Sequence, residues 1–65
     1  MITVNGQPCE QLSDDSLEAL IEYLGFKDQL LAVEINKTLI PYKQRSETAV
    51  KDGDAIEIVS LVGGG

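Results

Sequence analysis

The sequence predicts an α+β domain: a mixed sheet of four to five strands packed on one helix. Three observations carry that expectation. Strand-like alternation flanks a single strong helical pattern, and 65 residues leave room for only one domain. A lone amphipathic helix must also find a sheet face to cover. Such a short chain buries only about 60% of the surface it exposes when unfolded, so its core is thin.

Met1 to Val4 alternates at period two and meets Asn5-Gly6, two residues that tolerate the left-handed region a tight primed turn requires. Gln7 to Leu12 is the returning strand, made short and edge-like by Pro8. Ser13 to Ser16 supplies cap oxygens and negative charge for a helix start. From Ser16 to Leu24, Leu17, Leu20, Ile21 and Leu24 recur at i, i+3, i+4 and i+7 on one face, while Glu18 and Glu22 stand on a more exposed side. Gly25 terminates the helix. Leu31, Val33 and Ile35 form the next alternating run, Asn36-Lys37 turns it, and Thr38 to Ile40 returns before Pro41. Lys43 to Val50 has no clean period and allows a short turn of helix. Asp52-Gly53-Asp54 turns the chain into Ala55 to Leu61, the strongest strand pattern present.

Composition excludes several chemistries. The net charge of −6 and a pI near 4.2 repel nucleic acid and anionic membranes and favour a partner with a basic cleft. With no histidine there is no Ser-His-Asp triad, no Cys-His pair and no imidazole ligand for a metal. Cys9, the one cysteine, can neither close an internal disulfide nor build a Cys-only metal cluster. A chain without a disulfide, a signal-like start or a long apolar run suits the cytoplasm. Cys9 reads as a small strand-borne hydrophobe, Asp14 and Asp15 as helix-cap residues, and Tyr23, Phe26 and Tyr42 as the rim of the core. Lys37, Lys43 and Arg45 are expected on the solvated surface around the fourth strand.

Two features remain for function. If Ile56 and Ile58 point inward, period two sends Glu57, Val59 and Leu61 to the opposite face, where they would form a partner-binding surface; alternation by itself also permits the reverse. The second feature is Val62-Gly63-Gly64-Gly65, a thin thread that can carry a carboxylate into a narrow channel, or equally a frayed end or linker remnant. Residues 1–61 are thus expected to form the domain and 62–65 a flexible glycine tail.

In order along the chain, Ile2-Thr3-Val4-Asn5-Gly6, the Leu17 to Leu24 helix, Ala32 to Asn36, Ile40-Pro41, Val50 to Asp54 and the final Val62 to Gly65 resemble the sulfur carrier proteins of thiamine biosynthesis. These are ubiquitin-like proteins of the β-grasp fold. The resemblance implies a carrier, not an enzyme, that binds no cofactor of its own. A ubiquitin-activating-type adenylyltransferase would use ATP and magnesium to adenylate the Gly65 carboxylate. A sulfur donor enzyme with a persulfide would convert the adenylate to a thiocarboxylate, and thiazole synthase would accept the sulfur. Val62, Gly63 and Gly64 would enter the partners' active sites. The small subunit of molybdopterin synthase shares this ending but is usually longer, and a plain β-grasp interaction module is a third reading.

Overall fold

The computed structural model describes residues 1–61. Within them the chain runs β1 (Ile2–Val4), β2 (Gln7–Cys9), α1 (Leu17–Tyr23), β3 (Leu31–Ile35), β4 (Thr38–Leu39), a 3-10 turn (Tyr42–Glu47) and β5 (Ala55–Ser60). The sheet order is β2-β1-β5-β3-β4. β1 and β5 pair in parallel at its centre, and the other pairs are antiparallel. The expected mixed sheet with one helix is the observed one.

Local chemistry explains the element ends. Ser16 adopts extended backbone and its Oγ accepts from the Ala19 N–H at 3.1 Å, capping α1. At the other end Gly25, at φ +88°, donates to Glu22 O, and Phe26 N–H donates to Ile21 O. That bond pair is a Schellman ending, and the positive φ it needs suits glycine. The helix is one residue shorter at each end than the Ser16–Leu24 span, both of these residues being its caps. β2 stops at Cys9 rather than Leu12 because its one neighbour, β1, is itself three residues long. β4 stops at Leu39 instead of Ile40, although Ile40 N–H still donates to Val33 O at 2.9 Å.

The core lies between α1 and the inner sheet face. Leu17, Leu20 and Ile21 are buried against Ile2, Leu31, Val33, Val50, Ile56 and Ile58, with Leu24 and Phe26 partly buried at the margin. Each fully buried aliphatic side chain contributes about 1.5–3 kcal/mol. Two sequence expectations fail. Tyr23 and Tyr42 are exposed rather than closing the rim, because α1 turns Tyr23 away from the sheet and Tyr42 opens the 3-10 turn at the surface. Arg45 is buried, not solvated with Lys37 and Lys43, because the 3-10 turn folds it under the start of β3.

Candidate functional site

β5 positions the site. Its inner row, Ile56 and Ile58, is buried, so its outer row, Ala55, Glu57 and Val59, stands on the bare face of the sheet. Val59 is 57% and Leu61 62% exposed, and Glu57 is exposed beside them. β5 as a strand ends at Ser60, one residue before the expected end, yet Leu61 N–H still donates to Leu30 O at 2.8 Å. The domain thus holds Leu61 by its backbone and leaves its side chain outside. Val62, Gly63, Gly64 and Gly65 lie outside the described residues.

The register adds neighbours that alternation along one strand cannot reveal. Ala32 lies opposite Val59, Glu34 opposite Glu57 and Leu39 opposite Glu34. Residues opposite one another share a face, so the outer surface joins apolar Val59 and Leu39 to a directly opposed pair of acids. Like charges in that relation repel, and no cation lies within ion-pair distance of either among the described residues. Leu39 is 60% exposed. A large apolar side chain beside unneutralised carboxylates suits a partner surface that brings both a hydrophobic seat and a positive charge.

The rest of the described surface offers little chemistry. Cys9 is half-buried against the core, in keeping with a packing role. Asp14 Oδ1 accepts from Ser16 N–H, and Asp54 accepts from Lys51 N–H and from the Asn36 side chain, so these acids hold turns. Asp52 pairs with the Met1 ammonium, whose hydrogen bond and charge hold its carboxyl below the usual carboxylate value, with a further contribution from Gly53 N–H. No group of three acidic, cysteine or histidine side chains among the described residues could hold a metal ion. No described helix is long and apolar enough to cross a membrane. A groove of about 640 Å³ lies between α1, the loop before β3 and the 3-10 turn, lined by Glu18, Ile21, Phe26, Leu30, Tyr42 and Arg45 among others.

A five-stranded mixed sheet holding one helix on its inner face, with an outer face that the described residues leave uncovered beside the end of β5, is the β-grasp arrangement of ubiquitin-like proteins. Comparison with known proteins narrows the class. The model of the ThiS family matches residues 2–65. A crystal structure of the thiamine biosynthesis protein ThiS from Geobacter metallireducens superposes with a TM-score of 0.79 at 31% identity, covering 98% of this chain and 97% of that one. The uncharacterized protein ycf40 of Porphyra purpurea is 41% identical over 64 residues, 98% of this chain and 90% of its own length. The sulfur carrier protein ThiS of Thermus thermophilus is 29% identical over the whole of both chains. A thiazole synthase of Paramagnetospirillum magneticum is 36% identical over 64 residues, which are 98% of this chain but 20% of that protein. The chain belongs to the ThiS family, small ubiquitin-like sulfur carriers that are not themselves catalysts.

Proposed function

We propose that this protein delivers sulfur for thiazole formation in thiamine biosynthesis, carrying it as a thiocarboxylate on Gly65. The observation that carries the reading is the outer face of β5, where Val59 and Leu61 are exposed immediately before the glycine-rich segment. Leu61 is tied to Leu30, so a partner seated on that face meets the following residues at a fixed starting point. The family match through residue 65 supports Gly65 as the reacting residue, and the thiazole synthase relative supports thiazole synthase as the acceptor.

The chemistry follows from what a carboxylate lacks. It is a poor electrophile until a leaving group is attached, and the described residues offer no nucleophile-base pair to activate it. An adenylyltransferase therefore joins the Gly65 carboxylate to AMP, releasing pyrophosphate from magnesium-bound ATP. A sulfide equivalent from a sulfur donor enzyme then displaces AMP. If a persulfide itself attacks, a thiol must afterwards cleave the resulting acyl disulfide. Glycines at 63 to 65 leave the acyl carbon unhindered.

Incubation with the cognate adenylyltransferase, ATP, magnesium and sulfide is expected to add about 16 Da, the difference between sulfur and oxygen, by acyl transfer to sulfur. The gain should vanish on deletion of Gly65. A mass gain that persists without Gly65 and maps to Cys9 would replace this reading with a persulfide carrier.

A further inference from the structure

Arg45 is 8% exposed, which makes it the one buried charged residue among those described. Removing a guanidinium from water is costly unless it is well paired. Among the described residues no carboxylate lies within ion-pair distance of it, and its buried Nε has no hydrogen-bond partner. Its guanidinium carbon stands 5.3 Å from the centre of the Tyr42 ring, and Nη2 donates to the Leu31 carbonyl at 2.8 Å. For stability alone an apolar side chain of similar volume would serve as well. What the arginine adds is a charge-assisted hold on one particular carbonyl.

That carbonyl adjoins the point where β5 ends. Leu31 is in register with Ser60, and the preceding carbonyl, Leu30 O, accepts the Leu61 N–H at 2.8 Å. Two consecutive carbonyls at the start of β3 are therefore engaged, one by Arg45 and one by the last described residue. We propose that Arg45 is a positioning residue for sulfur transfer: by holding Leu31 it fixes the start of β3, on which Leu61, the last described residue, is anchored. This rests on the reading of Gly65 as the reacting residue. Displacements of about 1 Å can cost a reaction roughly 100-fold.

The test compares wild type, Arg45→Met and Arg45→Lys. Amide exchange is followed by NMR at Leu61, with Ile58 in the core as the internal reference. Arg45→Met, which fills similar space without a donor, is expected to speed exchange at Leu61 roughly tenfold and leave Ile58 within about twofold. In the thiocarboxylation assay its kcat should fall roughly tenfold with KM within about twofold, because the docking face is untouched. Arg45→Lys, which retains a donor, should recover most of both. Should Arg45→Met fail to fold, Arg45→Gln, polar but too short to span to Leu31, takes its place. Unchanged exchange at Leu61, equal acceleration at Leu61 and Ile58, or unchanged kcat overturns the positioning role. If wild type gains no sulfur mass the proposed function fails instead, and the exchange comparison still decides whether Arg45 anchors the strand.

Discussion

The side chain of Asn5 replaces a backbone rung against Ile58: its Oδ1 accepts the Ile58 N–H at 2.8 Å while its Nδ2 donates to the Ile58 carbonyl at 3.2 Å. β1 ends at Val4, and Asn5 N–H still reaches Ile56 O at 2.8 Å, so the amide carries the parallel ladder one step beyond the strand. Asn36 does similar work from the other side of β5. Its N–H donates to Ala55 O and its Oδ1 accepts from Ala55 N–H. Each asparagine is also the first residue of a two-residue turn and sits at φ 50°. The strand that leads to Leu61 is thus clamped by both of its flanking hairpins.

Replacing Asn5 by glycine keeps the positive φ available and removes the amide. The loss of two partly buried hydrogen bonds should destabilise the domain by about 1–3 kcal/mol, read as a lower urea midpoint with an unchanged m-value. Ile58 should lose protection from amide exchange more than Val33 does, because Ile58 N–H loses its partner directly.

Lys37 occupies the second position of the β3–β4 turn at φ 70°, a conformation that costs a β-carbon-bearing residue about 1–2 kcal/mol. Glycine relieves the strain but loses more entropy on folding, an opposing 0.5–1 kcal/mol or so. Lys37→Gly should therefore be stabilising by up to about 1 kcal/mol in thermal or chemical denaturation. A destabilised variant would mean that the lysine side chain itself supports the turn.

In the helix, Leu20 is 2% exposed and packed in the core. Leu20→Ala should cost about 2–5 kcal/mol, a large share of a small domain's stability. Equilibrium denaturation checks it, and an unmoved midpoint would contradict the packing described.

These sites show which parts of the molecule were legible in the sequence. Asn5-Gly6 announced a turn because both residues suit positive φ, and Leu17, Leu20 and Ile21 announced their buried face through spacing. Asn36-Lys37 was read as a turn too, but the positive φ of Lys37 was not, since lysine has no preference for that conformation and is held there by the pairing of β3 with β4. Burial of Val50 and Arg45 was invisible for another reason. Neither belongs to a periodic element; Val50 N–H is fixed by Asp15 O and Arg45 by Leu31 O, contacts that come from distant parts of the chain. The outward direction of Val59 was half legible, because alternation defines two rows and only packing on α1 selects between them. The opposition of Glu34 to Glu57 needs the strand register, which no single strand contains.

Acid should weaken one surface link. Asp52 has its carboxyl held low chiefly by the Met1 ammonium, so its contribution is present above the unfolded value near 3.8 and is lost as pH falls through the lower folded value. In an NMR titration its carboxyl resonance should shift at lower pH than that of the same residue in a short peptide. Asp52→Asn should flatten this small part of the acid dependence of stability, whose size solvent exposure limits.

The outer face should separate stability from recognition. Glu57→Gln removes the repulsion with Glu34 and should stabilise the isolated domain by about 0.2–1 kcal/mol, yet slow its association with an adenylyltransferase that presents a cation there, with a smaller salt dependence of the on-rate. Val59→Asp, at an exposed position, should cost the isolated domain no more than about 1 kcal/mol while raising the dissociation constant at least roughly tenfold if its side chain seats in a partner's pocket. Denaturation curves and stopped-flow binding at two salt concentrations measure both quantities. If Glu57→Gln gained stability while both variants bound like wild type, the face would be a solvated surface, and docking would have to be sought elsewhere on the domain.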